Sequence, residues 1–176
     1  MKVIAFGDSI ASGQYVSPQH AWVTHLGLAL PDDLVMNAGY SGDTTRLALE
    51  RMHHDVSAHQ PDILIVQFGL NDCNVWDGQV RVSFEGFRSN LAEIVARAKL
   101  ARTVLVTNHR PNRTTDYNAR ARSYNRIIRL VASANGLPLV DMEPLEVPLL
   151  DGIHPAPDGH RAYADAIIPA VKALIR

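Results

Sequence analysis

The chain has 176 residues, of which 47% are hydrophobic and 20% are charged, and its net charge is −1. This composition is typical of a folded globular protein, and the near-neutral charge gives no electrostatic reason to expect nucleic acid or an anionic membrane as a partner. The length predicts a single domain over residues 1–176, and the single Cys73 excludes an internal disulfide and a multi-cysteine metal site.

Apolar runs recur along the chain, and helical patterns alternate with them. Because the runs are continuous and rich in β-branched residues, they predict strands of a parallel sheet that is covered on both faces. Apolar residues of helical period at 87–98 and 117–131 predict helices, and Pro157 is suited to the first position of the last helix. The five predicted strands lie at 3–6, 34–37, 63–68, 103–107 and 137–141.

This alternation of strands and helices predicts a three-layer α/β fold. Its sheet is expected to be doubly wound and flavodoxin-like, with about five parallel strands. Because crossovers between parallel strands are right-handed, the loops after the strands gather at one edge, where open α/β sheets bind ligands. We therefore expect the functional residues at the strand ends.

The N-terminal residues predict a strand rather than a targeting segment. Only four apolar residues in a row precede Gly7, which is too short for the apolar region of a signal peptide. No apolar run approaches the ~20 residues that a membrane helix needs. A cytoplasmic location without integral membrane association is therefore expected.

Ser9 directly follows the first predicted strand, in the segment GDSIASG at 7–13. One interpretation is that Asp8 and Ser9 cap the following helix, which is a common use of both residue types. The other is that Ser9 is a nucleophile displayed on a tight strand-to-helix turn, with Gly7 supplying backbone freedom. A helix N-terminus would also stabilise negative charge that develops beside Ser9.

A nucleophilic serine needs a general base and a carboxylate that orients the base. Among the eight histidines, His154 follows Asp151 by three positions in a loop rich in glycine and proline, so both side chains can face one cleft. A second acid–histidine pair contains His160, but that residue falls on the last predicted helix and is carried away from Ser9. A zinc site that uses both histidines is therefore not expected.

Other strand ends offer hydrogen-bond donors. Gly39 could present its backbone N–H and Asn71 its side-chain amide to an oxyanion, although turn geometry would also explain both residues. His109 and Arg110 follow the fourth predicted strand in a polar loop, and we expect them to contact substrate.

Four segments in order resemble the conserved blocks of the SGNH superfamily of GDSL-type lipases and esterases. The resemblance implies that Ser9 is the nucleophile, with Asp151 and His154 completing a triad. It also implies an oxyanion hole formed by Ser9, Gly39 and Asn71. The segments are GDSIASG at 7–13, NAGYSGDTT at 37–45, GLND at 69–72 and DGIHP at 151–155.

The resemblance implies a serine hydrolase that cleaves carboxylic esters of small molecules through an acyl-enzyme, without a metal or other cofactor. Short-chain acyl esters, thioesters and acetylated carbohydrates are candidate substrates. Two alternatives keep the same triad, namely an O-acyltransferase and a carbohydrate deacetylase. A third is a non-catalytic flavodoxin-like binding module, although no glycine-rich phosphate loop occurs in the sequence. No feature of the sequence indicates an oligomeric state.

Overall fold

The computed structural model describes residues 1–98 and 100–175, and its centre is a sheet of five parallel strands. The sheet order is β2-β1-β3-β6-β7, and the short strands β4 and β5 form a separate antiparallel hairpin. The strands are β1 (Lys2–Gly7), β2 (Leu34–Gly39), β3 (Ile63–Gln67), β4 (Val75–Trp76), β5 (Gln79–Val80), β6 (Arg102–Val106) and β7 (Leu139–Val140).

Helices cover both faces of the sheet. One group consists of α2 and α6, which pack against each other, and a second group forms where α4 packs against both α3 and α5. The predicted three-layer α/β fold with a doubly wound sheet is therefore confirmed. The helices are α1 (Ser9–Ser12), α2 (Trp22–Ala29), α3 (Thr45–Asp55), α4 (Phe84–Arg97), α5 (Thr115–Ala134) and α6 (Pro157–Ile175).

The central strands supply the core. Every residue of β3 is buried, and β1 is buried from Val3 to Gly7. These strands pair in parallel, with Val3 opposite Ile63 and Phe6 opposite Val66. Since both faces of a doubly wound sheet are covered by helices, the continuous apolar sequences of these strands are explained.

The last helix begins where the sequence predicts. His160 donates its backbone N–H to the Ala156 carbonyl at 2.9 Å, which is the first hydrogen bond of α6 and makes Pro157 its first residue. The loop that contains Asp151 and His154 therefore ends just before this helix.

The hairpin of β4 and β5 was not among the predicted elements. Its turn consists of Asp77 and Gly78, which have φ angles of 50° and 76°. An Asp-Gly pair with two positive φ angles is typical of a type I′ turn, whose twist matches that of the flanking strands. The hairpin follows the loop of Asn71 and leaves Trp76 exposed.

Candidate active site

Ser9 is the first residue of α1, at the carboxyl end of β1. The Asp8 side chain caps this helix by accepting the Ile10 N–H at 3.0 Å, and Gly13 ends it in a left-handed conformation with φ of 78°. Both interpretations of the segment therefore describe the same turn, because Asp8 caps the helix and Ser9 begins it.

Two hydrogen bonds join Ser9, His154 and Asp151 into a chain. The Ser9 Oγ and the His154 Nε2 are 3.1 Å apart, and the His154 Nδ1 is 2.8 Å from the Asp151 Oδ2. An ionised carboxylate can only accept, so the Nδ1 atom carries a proton and the Nε2 atom is left to accept from the Ser9 hydroxyl. The three predicted residues are therefore brought together in the order that proton transfer requires.

The electrostatics favour an ionised Asp151. Burial opposes ionisation, but backbone N–H groups of His154 and Ile153 and the His154 ring outweigh it and lower the pKa of Asp151 to about 2. The two N–H groups lie 2.8 and 3.0 Å from the Asp151 Oδ1. Because the carboxylate stays charged across the neutral range, it holds the His154 ring in one tautomer.

The loop of Asp151 is anchored to the segment that follows β6. The Asn112 N–H donates to the Gly152 carbonyl at 2.8 Å, and Arg113 Nη1 lies 3.5 Å from the Asp151 carbonyl. Gly152 has a φ of 85°, and a Cβ there would lie 2.3 Å from the Asn112 oxygen. Only glycine fits this close approach, which places His154 opposite Ser9.

Tyr15 contacts the site, although sequence reasoning did not identify it. Its ring meets the His154 ring edge-to-face, with centroids 4.9 Å apart, and 66% of its surface is exposed. Its φ of 70° is unusual for a residue with a bulky side chain. A strained, exposed aromatic residue beside His154 forms one wall of the site.

Asn71 has an amide donor without a partner among residues 1–98 and 100–175. Its Oδ1 accepts from Arg81 Nη1 at 3.4 Å, and its Nδ2 group makes no hydrogen bond to the described residues. The N–H of Ser9 is also accessible, because the first N–H groups of a helix point beyond its N-terminus. Two of the three expected donors are therefore in suitable environments.

The third expected donor, Gly39, is engaged elsewhere. Its N–H donates to the Asn37 Oδ1 at 2.9 Å, and the orientation of that amide is set because the Asn37 Nδ2 donates to the Ala11 carbonyl. The need for glycine at position 39 is explained by packing, since a Cβ would lie 2.3 Å from the Ser12 nitrogen. The expectation that Gly39 offers a free N–H is therefore corrected.

Gly42, in the loop after β2, has the exposed backbone that Gly39 lacks. Its φ is 84°, and a Cβ there would meet nothing within 4 Å. Within residues 1–98 and 100–175 its N–H has no hydrogen-bond partner. The neighbouring Ser41 joins this loop to α1, because its Oγ lies 3.2 Å from the Ser12 Oγ.

His109 and Arg110 lie in different environments. His109 is fully buried, and its Nδ1 lies 2.8 Å from the Tyr163 hydroxyl on α6. Burial lowers the pKa of His109 to about 4, so the ring is neutral under ordinary conditions. The expectation of a direct substrate contact by His109 is corrected, because its surface is covered, whereas Arg110 is exposed.

His160 and Cys73 play no part in the site. The His160 ring is buried and its Nδ1 lies 3.4 Å from the Trp22 nitrogen, so the predicted separation from Ser9 is consistent with its packing. Cys73 is buried, and burial raises the pKa of its thiol to about 12. A neutral, buried thiol is not a nucleophile at ordinary pH.

A known family matches this sequence and this arrangement. The sequence profile of the GDSL-like Lipase/Acylhydrolase family matches residues 5–162. The chain belongs to this family. It is therefore an ester-hydrolysing enzyme of the GDSL serine type, and the resemblance and enzyme class expected from the sequence are confirmed.

Several known proteins are similar over most of the chain. The uncharacterized lipoprotein YqeF of Bacillus subtilis is 32% identical over 169 residues, covering 79% of this chain and 69% of that protein. Thioesterase 1/protease 1/lysophospholipase L1 of Escherichia coli strain K12 is 28% identical over 181 residues, covering 98% of this chain and 84% of that protein. The crystal structure of a lipase/acylhydrolase from Enterococcus faecalis has a TM-score of 0.87 and 26% identity, covering 98% of this chain and 95% of that one.

One further feature concerns membranes. Among residues 1–98 and 100–175, no helix combines the length and the apolar character that a membrane crossing requires.

Proposed function

We propose that Ser9, His154 and Asp151 are the catalytic triad with which this enzyme hydrolyses carboxylic esters of small molecules. The observation that carries the proposal is the chain of two hydrogen bonds from the Ser9 Oγ through the His154 ring to Asp151. It supports a serine nucleophile because it links the hydroxyl to a base whose tautomer is set by a charged carboxylate.

In the first half of the reaction, the Ser9 Oγ attacks the carbonyl carbon of the ester while its proton passes to the His154 Nε2. The tetrahedral intermediate then collapses, the bond to the alkoxy group breaks, and His154 gives its proton to the leaving alcohol. Asp151 stabilises the charged ring between these steps. Water repeats the sequence on the acyl-enzyme, which releases the acid and restores the Ser9 hydroxyl.

The oxyanion of the intermediate needs preorganised donors. We propose the Ser9 N–H, the Gly42 N–H and the Asn71 Nδ2 group, with Gly42 in place of Gly39. Gly42 is supported because its N–H has no partner among the described residues, and Asn71 is supported by the Arg81 contact that orients its amide. Removing one donor of this kind typically lowers kcat by about 10²–10³.

Arg110 is the substrate contact that we propose at the end of β6. It is exposed and lines a cleft of about 550 Å³ together with Arg122. An ester that carries a negative group on its acyl or alcohol part would complement this cleft. The relatives are named as hydrolases of several kinds, and a thioester remains within the proposed substrate class.

Two expectations from the sequence stay predictions. A single domain over residues 1–176 is supported by one continuous cluster of buried apolar residues in the described part of the chain. A cytoplasmic location remains untested, and one relative is named as a lipoprotein.

The decisive experiment combines an active-site probe with substrate hydrolysis. A fluorophosphonate probe is expected to modify Ser9, as mass spectrometry of the labelled peptide would show, and Ser9→Ala is expected to abolish labelling. The same substitution should lower kcat for short-chain nitrophenyl esters by on the order of 10⁴-fold or more, because the residues of a triad act as a unit.

Ser89→Ala is the matched control, because Ser89 is an exposed serine on α4 and should leave labelling and hydrolysis unchanged. Acetylated sugars and an acceptor alcohol belong in the same assay, since transfer to the alcohol in preference to water would identify an O-acyltransferase. Full hydrolysis by a folded Ser9→Ala variant would overturn the triad.

A further inference from the structure

Three buried side-chain oxygens lie beneath the nucleophile without a donor. They are the Asp8 Oδ2, the Asp72 Oδ2 and the Gln67 Oε1, none of which has a hydrogen-bond partner among residues 1–98 and 100–175. Asp8 is close to both of the other side chains, since the charge of Asp72 raises the pKa of Asp8 and a contact with the Gln67 side chain lowers it, although burial is the larger influence and raises it. Oxygens that only accept cannot satisfy one another, so a proton is required in this cluster.

The orientation of Gln67 is set by its other neighbours. Its Nε2 donates to the Asn108 Oδ1 at 2.9 Å, and the Asn108 Nδ2 donates to the Phe68 carbonyl at 2.9 Å. Reversing either amide would place two acceptors or two donors face to face. The Gln67 Oε1 is therefore the atom left without a donor, and the carboxyl group of Asp8 can supply one.

Asp8 is better suited than Asp72 to hold the proton. Asp72 accepts two hydrogen bonds from Thr45, one from the backbone N–H at 2.9 Å and one from the hydroxyl at 2.5 Å. Among residues 1–98 and 100–175, the Asp8 side chain accepts one hydrogen bond, from the Ile10 N–H. Burial raises the pKa of both carboxyls, to about 7 for Asp8 and about 6 for Asp72, so the geometry and the electrostatics agree.

In the part of the chain that the structure describes, no unpaired cation is among the main influences on Asp8. Arg51 donates from Nη2 to the Gly7 carbonyl, but its charge is engaged by Asp43 at 2.5 Å and Asp55 at 2.9 Å. The other described groups that act on Asp8 add no positive charge. They are the carboxylates of Asp43 and Asp72, which raise the pKa of Asp8, and the neutral phenols of Tyr117 and Tyr163, whose own pKa values burial raises.

We propose that Asp8 is a neutral carboxylic acid in the active enzyme and that it donates a hydrogen bond to the Gln67 Oε1. Asp8 is then a positioning residue, because its neutral form keeps negative charge away from the oxyanion hole. This rests on the proposed triad, because the Ser9 N–H lies next to Asp8 in the chain. A charged Asp8 would act against the oxyanion, whereas a neutral one caps α1 and leaves the helix N-terminus positive. Loss of this proton at alkaline pH therefore lowers kcat.

Asp8→Asn tests the proposal, because asparagine keeps the shape, the acceptor for Ile10 and a donor for Gln67, and cannot ionise. The variant is expected to match the wild type at pH 6 within about threefold. At pH 9 the wild type should have lost about tenfold or more of its kcat, a loss that Asp8→Asn should not show. Asp72→Asn is the matched control and should keep the alkaline loss, because it leaves Asp8 in place.

Infrared difference spectra supply a readout that does not depend on hydrolysis. The wild type at pH 6 should show a carbonyl band of a protonated carboxylic acid that Asp8→Asn lacks and Asp72→Asn keeps, which separates it from any band of Asp72. A folded Asp8→Asn variant that is inactive at pH 6, one that keeps the alkaline loss, or a wild type without the infrared band would each overturn the proposal. Failure of the triad itself would appear separately, as a Ser9→Ala variant that still hydrolyses esters.

Discussion

The surroundings of Arg110 indicate which substrates the enzyme would prefer. Arg129 lies in the adjoining cleft, but it is paired with Asp141 at 2.9 Å and with Glu143 at 2.6 Å. Asp141 and Glu143 are therefore already engaged, whereas Glu146, which lines a neighbouring cleft with Arg110, has no ion-pair partner among the described residues. Arg110 and Arg122 have no ion-pair partner among the described residues. These two exposed guanidinium groups in one cleft favour a carboxylate or phosphate group on the substrate.

Arg110→Ala is expected to reduce kcat/KM for an ester that carries a carboxylate on its acyl chain. The expected reduction is about fivefold, which corresponds to the ~1 kcal/mol of an exposed ion pair. A neutral ester of equal length should be unaffected. Paired kinetic measurements on the two esters at low salt check this.

Arg88→Ala provides the control, because Arg88 is exposed on α4 and does not line the cleft. An equal loss on both esters in Arg110→Ala would point to a change in the loop rather than to charge recognition, and would count against the anionic substrate.

At the residue scale, the chemical types of the side chains could be predicted from the sequence, but the hydrogen-bond partners of individual backbone N–H groups could not. The sequence predicts that Ser9, Asp151 and His154 face one cleft, because one follows a strand and the others lie in a glycine-rich loop, and the structure brings the three side chains into contact. It could not show that Asn37 engages the Gly39 N–H, since that depends on one amide orientation. The sequence also could not show the contact between His109 and the Tyr163 hydroxyl on α6, because the two residues are 54 positions apart along the chain.

At the scale of elements, the contact between β2 and α1 holds Ser9, the proposed nucleophile, in place. Gly39 ends β2 against the backbone of α1, where a Cβ would lie 2.3 Å from the Ser12 nitrogen and 2.7 Å from the Ala11 carbonyl carbon. A side chain at position 39 would therefore push α1 away from the sheet. Ser9 lies on the same four-residue helix and would move with it.

Gly39→Ala is expected to lower both stability and activity, with activity the more severely affected. The free energy of unfolding should fall by about 1–3 kcal/mol, the usual cost of overpacking, and kcat should fall by about 10² or more as the Ser9 Oγ moves from His154. Denaturant unfolding and ester hydrolysis on the same samples check this.

The contrasting substitution is Gly27→Ala in α2. There the added Cβ would approach only the Val35 side chain, at an ordinary 3.7 Å. Helix propensity should raise the free energy of unfolding by about 0.5–1 kcal/mol without changing kcat. Equal effects of the two substitutions would contradict the close-approach explanation for Gly39.

The hydrophobic pattern of the sequence predicted the positions of the strands better than it predicted their lengths. The apolar runs located all five strands of the sheet, and burial on both faces explains the continuous apolar sequence of β1, β3 and β6. Their ends moved by one or more residues, and β7 keeps only Leu139–Val140 of the predicted 137–141. The β4–β5 hairpin was missed because its strands are exposed and only two residues long, although Asp77 and Gly78 were a usable signal.

At the scale of the whole molecule, buried groups of opposite kinds act on the pH dependence of stability. Burial lowers the pKa of His109 and His160 to about 4. Their contribution to the free energy of unfolding therefore decreases as the pH falls from 6.5 to 4. Burial raises the pKa of Asp8 and Asp72. Their contribution to the free energy of unfolding therefore decreases as the pH rises from 3.8 toward the pKa values that these groups have in the folded protein. The two pairs oppose each other across the same range.

We therefore expect the free energy of unfolding of the wild type to change little between about pH 4.5 and 6. Asp8→Asn removes one opposing group and should make stability increase with pH by about 1.4 kcal/mol per unit in that range. Burial also lowers the pKa of His25, which adds a smaller effect of the same sign. Urea unfolding at several pH values checks this, and a wild-type slope as steep as that of the variant would contradict it.

The contact between Ser9 and His154 has a consequence for synthesis of the chain. The two residues are 145 positions apart, and His154 follows β7, the last strand of the sheet in chain order. Local helices can form early, whereas such a distant pairing must wait for the intervening chain to be made and ordered. A nascent chain therefore carries Ser9 before His154 has been made. The proposed triad requires this pairing, so we expect the onset of ester hydrolysis to follow completion of the sheet.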